Sequence, residues 1–410
     1  MFSALLGQIM GGGLGPFPAG WSYYKEASLT AKGSEAGTIS VSNGSATVTG
    51  SGTAFTDWGP GDRILLPDTN WYTISAVASA TSLTITENYP GPNASGESYS
   101  LRLTDYQVRL MVGESSGSSG ADVHCEGKCN ADFSDLRFTA ADGATQFDYW
   151  IESVSGTTPN QTATVTIKGN QIETADTYLR MYYGNSGAIS ASDGESVFLF
   201  FDDFDGSVLD TDKWYNDVAT GYGDSLTIAD SQLQLSVADS GYRWESAIDS
   251  KVSFPFPCKI ELRYKIVANG TGTSIAVAAN FGVHPNEHTE LNLEAVRYFS
   301  FHAWHGALTN DWINSVGTPP DAADNDVLNN TWIRETALFL SGASKQYRQG
   351  VLELSDTHTN SLTTVFLELE YAVNSASAVG AQYIYVDFLA ASRAVVAEPE
   401  FGAWGSEQLV

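Results

Sequence analysis

Windows with a helical apolar period are nearly absent from this chain, while two-residue alternation returns from one end of it to the other. SLTIADSQLQLSV and TTVFLELEYAV show it most clearly, with apolar and polar residues taking turns as on a half-buried strand. The turns between such runs are short and rich in Gly, Asn and Pro, and Asn43-Gly44 between Ile39/Val41 and Ala46/Val48 marks a hairpin. Antiparallel, all-β structure follows. At 410 residues the chain exceeds one ordinary core, so several domains are expected, and 42% hydrophobic with 12% aromatic residues is enough to pack them.

The balance of 48 Asp+Glu against 20 Lys+Arg leaves a formal charge of −28. Such a surface repels phosphate backbones, and no local basic patch offsets it, so nucleic acid is excluded as a partner. The acids are spread out rather than gathered in a tail; they serve solubility, cation binding or life in salty water. No apolar stretch reaches the roughly 18 residues that span a bilayer. Residues Met1–Gly20 form an apolar, Gly/Pro-rich arm without the basic start of a secretory signal. Phe2, Leu5, Leu6 and Ile9 in that arm are costly to leave in water, so it docks either on a partner subunit or on its own domain.

Four segments follow in order. Residues 21–36 open with a Trp strand, and 102–197 continue the same domain after an interruption. In this part Asp105, Tyr106, Val108, Asp135, Arg137, Phe138, Asp142, Gly143, Tyr149, Trp150, Tyr183, Gly184 and Asn185 resemble an uncharacterised surface-protein β-domain family, DUF2341. The interruption, 37–101, carries Gly44, Thr47, Val48, Gly50, Gly52, Thr53, Phe55, Gly61, Asp62, Ile64, Ser82, Leu83 and Thr84. That pattern is similar to a small β-domain of tailed-phage structural proteins, and its place between the two parts marks an insertion at a loop tip. From Phe198 to Val410, FLFFDDFDGSVLDTDKW at the start and YIYVDF (Tyr383–Phe388) near the end resemble the first and last strands of concanavalin-like jelly rolls, the fold of lectins and laminarinase-type glucanases. The tail, RAVVAEPEFGAWGSEQLV, is grouped with this domain. The fold class expected is therefore a multi-domain all-β chain: a β-sandwich with a small inserted β-domain, then a jelly roll.

The jelly-roll resemblance implies adjacent first and last strands, which would bring Asp203 and Asp205 near Asp387 as ligands of a structural Ca²⁺; a plain strand position for Asp387 is the alternative. It also invites a search for glycosidase acids. Glu290, Asn292 and Glu294 share one strand face, but the glucanase pattern wants Asp at the centre and one more residue of spacing. Glu368 and Glu370 lack a third acid. On this ground no enzyme is expected. Trp304, His305 and Trp312, with Tyr242, Trp244 and Asn310, lie in loop-like or edge segments where sugar rings could stack; core positions are the alternative. Cys125 and Cys129 flank a polar three-residue turn, which suits a disulfide, a reduced thiol pair or, with His124, part of a zinc site.

The resemblances imply a virion structural protein of a tailed virus, either capsid decoration, turret or tail fibre. It would be homo-oligomeric, attached to other virion proteins by Met1–Gly20, and exposed on the particle surface with its lectin-like domain toward host glycans. The competing expectations are a cell-surface carbohydrate-binding adhesin and a glycoside hydrolase.

Overall fold

The computed structural model describes residues 20–175, 177–218, 224–237, 241–267, 276–284, 297–304, 307–314, 330–340, 343–357, 364–375 and 382–410. Strands account for nearly all of the regular structure, as the alternation requires, and the one α-helix among these residues is the single turn Gly194–Val197. The chain divides into two compact units, residues 1–197 with 396–410, and residues 198–395.

In the first unit, Tyr23–Thr30 pairs antiparallel with Thr177–Tyr183, which continues to Arg137–Ala140 and Gln146–Phe147. A second sheet runs Val123–His124, Tyr106–Gly113, Thr162–Gly169, Tyr149–Ser155. The residues shared with the DUF2341 pattern knit these elements together. Asp135 is fully buried and accepts three backbone N–H groups: Asn130 at 2.8 Å on Oδ1, and Gly184 and Asn185 at 2.7 and 3.1 Å on Oδ2. Gly184 presents its N–H from a backbone at φ +85°, a conformation that favours glycine. Arg137 donates to Tyr149 Oη (3.0 Å) and to the Ile189 carbonyl (2.6 Å), and lies 5.0 Å over the Trp21 ring. The signature is a frame of buried polar anchors.

Residues 37–101 make most of a further sheet, ordered Ile172–Glu173, Ser100–Leu103, Arg63–Leu65, Trp71–Ser79, Ser82–Ile85, Thr47–Ser51, Thr38–Val41, Ala94–Glu97. Its entry and exit lie side by side: Tyr99 Oη donates to the Ala36 carbonyl (2.7 Å), and the Leu101 N–H to Glu35 Oε1. An inserted segment needs that closeness of ends. The Gly-Asp of the GPGD string is a turn device, with Gly61 at φ +91° and buried Asp62 accepting the Gly59 N–H at 2.8 Å.

The C-terminal tail differs from expectation. Residues 396–410 belong to the first unit, where Glu400–Phe401 and Gln408–Leu409 pair with the free edge of Tyr23–Thr30. Tyr106 Oη donates to Glu398 (2.8 Å) and Tyr183 Oη to Glu407 (2.8 Å), and Lys128 forms an ion pair with Glu407. An edge strand with unpaired N–H and C=O groups is the physical reason: the tail satisfies them.

The second unit is a two-sheet sandwich. Its back sheet is ordered Ser225–Ala229, Gln232–Val237, Gln382–Arg393, Cys258–Val267, Ile333–Phe339, Ala343–Arg348, Val351–Thr357, with Phe200–Asp202 also paired to Gln382–Arg393. First and last strands are thus neighbours (Phe200 opposite Ala391), as the jelly-roll resemblance implies. The front sheet is ordered Trp214–Asn216, Gly241–Ser250, Thr364–Ser375, Ala276–His284, Arg297–Trp304, Ala307–Asn314. Between them lies one apolar core that includes Leu233, Ile260, Leu262, Ile384 and Val386 from the back, and Ile248, Val283, Leu367 and Leu369 from the front. Asp202 closes one end, accepting the Trp214 indole N–H (2.6 Å) and the Phe204 N–H (2.8 Å) while itself buried.

Candidate functional site

The front sheet of the second unit has one face committed to the core, and its other face carries the candidate residues. Residues alternate between faces along each strand, so the core positions Leu367 and Leu369 put Glu368 on the far side. Across the sheet the register then runs Tyr215, Asp249, Glu368, Gly282, Tyr298, Asn314. The next row is Ser246, Glu370, Asn280, Ser300, Trp312; the next, Trp244, Ala372, Ala278, His302, Asn310; and the last, Tyr242, Asn374, Ala276, Trp304. Acids occupy the middle of this face, with amides and aromatic residues at register positions around them.

Asp249 and Glu368 are direct cross-strand neighbours and are only 1% and 0% exposed. Directly opposed residues have Cβ atoms roughly 4.5–5.5 Å apart. Gly282 stands opposite Glu368 on the following strand, so that neighbouring position carries no side chain. The acid pair depends on a β-bulge: between Ser246 and Ile248 one extra residue is inserted opposite Glu370–Leu369, and it turns Asp249 rather than Ile248 to this face.

The aromatic candidates named from sequence fall on this one face by register: Trp304 and Trp312, with Tyr242, Trp244 and Asn310. They are strand residues, not loop residues. His305 lies outside the described residues, as do Glu290, Asn292 and Glu294, and the arm residues Phe2, Leu5, Leu6 and Ile9.

The proposed calcium ligands are not assembled. Among the described residues, no three or more His, Cys, Asp or Glu side chains are grouped to hold a metal ion. Asp387 sits on the outer side of the back sheet and is taken by Arg263, whose Nη1 is 2.6 Å from its Oδ2. Around them Arg263 and Lys265 both lie 4.9 Å over the Trp332 ring, and Lys265 is 4.5 Å over Tyr385. An arginine in direct contact leaves Asp387 a poor cation ligand. Asp203 instead has its carboxyl pushed up from the ordinary value of 3.8, first by burial and then by the charge of Asp205. The sign follows: the fold disfavours the ionised form, so this group's penalty is absent below the ordinary Asp value and grows as pH rises through the raised one. Asp203→Asn is therefore expected to raise the unfolding midpoint at pH 7 and to leave it unchanged at pH 3, read by thermal melts at both.

The disulfide is also not formed. Cys125 and Cys129 are thiols, Cys125 buried and Cys129 half-exposed, and Cys258 is a buried thiol. Burial, together with a hydrogen bond to Cys129, pushes the Cys125 thiol well up, away from the reactive thiolate. Their turn is a reverse turn with Glu126 and Gly127 at φ +54° and +71° and Lys128 N–H bonded to the Cys125 carbonyl.

Comparison with known proteins supplies three findings. The profile of the family described as a domain of unknown function, DUF2341, matches residues 132–217, crossing from the first unit into the second. No curated protein matches the chain. Among solved structures, the chain is similar to an endo-β-1,3-glucanase from Pyrococcus furiosus (12% identity, TM-score 0.36, 50% of this chain and 95% of that one). It is likewise similar to the catalytic domain of a laminarinase from Thermotoga petrophila RKU-1 (14%, 0.36, 47% and 96%) and to a laminarinase from Flavobacterium sp. UMI-01 (12%, 0.37, 48% and 100%).

The expectation that the chain is not an enzyme is withdrawn, since the solved structures similar to it include an endo-β-1,3-glucanase and laminarinases. Of the two candidates on which that expectation rested, Glu290, Asn292 and Glu294 lie outside the described residues, and Glu368 and Glu370 lie on Thr364–Ser375. The solved structures above lend no support to a virion role. Among the described residues no helix is long and apolar enough to cross a membrane.

Proposed function

We propose that the second unit binds carbohydrate across the non-core face of its front sheet. The observation that carries this reading is the register itself: Trp244, Trp304, Trp312, Tyr215, Tyr242 and Tyr298 share a face with Asn280, Asn310 and Asn314 and with three acids. Pyranose rings offer apolar C–H faces to aromatic rings and hydroxyls to amides and carboxylates, so this mixture matches sugar chemistry better than it matches an apolar or a phosphate-bearing ligand. A face of this width takes several sugar units rather than a single one.

The test is a glycan array probed with the whole protein, followed by titration of any oligosaccharide it selects. Trp312→Ala and Trp244→Ala are each expected to weaken that binding by about ten-fold or more with the unfolding midpoint kept. Unchanged affinity in both variants would place the ligand elsewhere.

A second reading, hydrolysis of the bound glycan, is favoured by one observation, the opposition of Asp249 and Glu368. Directly opposed strand positions, with Cβ atoms roughly 4.5–5.5 Å apart, let two carboxyl groups come within the roughly 5–5.5 Å of a retaining glycosidase. Release of reducing ends from the selected oligosaccharide, lost in both Asp249→Asn and Glu368→Gln while binding persists, is the outcome expected of that chemistry. Binding without any release would leave a lectin.

A further inference from the structure

The sheet formed by residues 37–101 holds an arrangement that sits oddly in so acidic a chain. Arg63 and Arg102 are directly opposed on neighbouring antiparallel strands. Like charges in that relation repel, and the chain has few cations to spend, 20 Lys+Arg among 410 residues. Both lie on the face away from the core residues Ile64 and Leu101, in a row that reads Thr73, Arg63, Arg102, Glu173.

The arginines are held but not satisfied. Arg102 is only 7% exposed, with its guanidinium 4.0 Å over the Trp71 ring and one Nη1 bond to Gln171 Oε1 (2.9 Å). Arg63 Nη2 donates to the Trp71 carbonyl at 2.6 Å. The Nε of each is buried and meets no acceptor. One carboxylate answers the two positive charges: Glu173 stands 3.9 Å from Arg102 Nη1, and its own side chain is 43% exposed. Burial and the neighbouring Arg63 both work to lower the Arg102 pKa, with Glu173 opposing them. Trp71 and Gln171 fix Arg102 in place, so two forks of N–H donors are pre-organised beside each other with net positive charge and missing acceptors.

We propose that Arg63 and Arg102 form a binding site for an oxyanion, a sulfate, phosphate or carboxylate group, gripped between the two guanidinium groups beside Trp71. The flanking Thr73 hydroxyl lies on the same face and offers a further donor. This site is independent of the carbohydrate face of the second unit.

The experiment uses the whole protein, with thermal unfolding and calorimetric titration in sodium sulfate, sodium phosphate and sodium acetate, each against sodium chloride of equal ionic strength. At least one oxyanion is expected to raise the first unit's midpoint beyond chloride and to give a saturable heat. Both signals are expected to be lost in Arg63→Gln and in Arg102→Gln, and the three salts show which oxyanion is preferred. Arg63 is half-exposed and does not stack on Trp71, so Arg63→Gln keeps the fold even if Arg102→Gln does not. No oxyanion effect beyond chloride, or an equal effect in Arg63→Gln, would overturn the proposal and leave a cross-strand pair that only packs on Trp71.

Discussion

Glu335→Leu is expected to destabilise the second unit by about 3–5 kcal/mol, among the largest effects any single replacement there should have. Strand alternation puts Glu335 between the core residues Ile333 and Ala337, facing inward. It is 0% exposed, and its directly opposed neighbour Arg348 is 4% exposed, with Nε donating to Oε1 at 2.6 Å. Gln346 adds a long bond of 3.4 Å to Oε2. Removing the carboxylate takes away the charge partner that a guanidinium holds in the sandwich interior. Arg348→Met takes the opposite charge from the carboxylate and leaves it the long Gln346 bond. The double replacement Glu335→Leu with Arg348→Met removes both charges of the pair and should recover at least half of the single loss. Denaturant titration of the four proteins, followed through the second unit's transition, checks this; an additive double mutant would show that the pair is not what makes each single change costly.

The second large effect belongs to the first unit. Asp135→Ala takes their acceptor from the half-buried Asn130, Gly184 and Asn185 N–H groups and empties a fully buried position. At about 1 kcal/mol for each half-buried donor left unmade, the low end of the usual range, a loss of about 3 kcal/mol is expected. Asp135→Asn should be nearly as harmful, because one carboxylate oxygen becomes a donor that faces donors. The first unit's unfolding transition moves and the second unit's does not. Equal shifts in both would mean that the two units unfold together.

Much of the architecture was legible from local pattern. Alternation identified the strands, and the pairing of Phe200 with Ala391 agrees with the adjacency implied by the jelly-roll resemblance. What escaped the sequence depended on partners far along the chain. Arg263, which claims Asp387, is 124 residues away from it, and nothing near YIYVDF announces it. Cys-Glu-Gly-Lys-Cys has the same spacing whether its thiols are joined or merely hydrogen-bonded. The tail RAVVAEPEFGAWGSEQLV resembles the way lectin-like domains end, and so reads as part of the domain that precedes it. Its ladders on Tyr23–Thr30 are only two residues each, too short to leave an alternation signal.

The acid pair was hidden for a subtler reason. Counting by twos from Trp244 in GYRWESAIDS puts Ser246 and Ile248 on one face and Asp249 on the other. The bulge after Ser246 reverses that parity, so the count fails at the one residue that matters. Glu368 was visible in the alternation of VFLELEY, but its neighbour was not. A bulge next to a functional face is a common way to re-aim a side chain, and a Ser-Ala pair interrupting an alternating strand is the only sequence hint of it here.

The tail also sets an order of events for a chain made from its N-terminus. Tyr23–Thr30 meets its first neighbour when residue 183 has been made, and its second only at residues 400–409. All of residues 198–395 are synthesised in between, with the two ends of that unit already paired at Phe200 and Ala391. Of the two units, the one that begins first is therefore the one that finishes last, and while residues 198–395 are made its strand Tyr23–Thr30 waits with one edge bare.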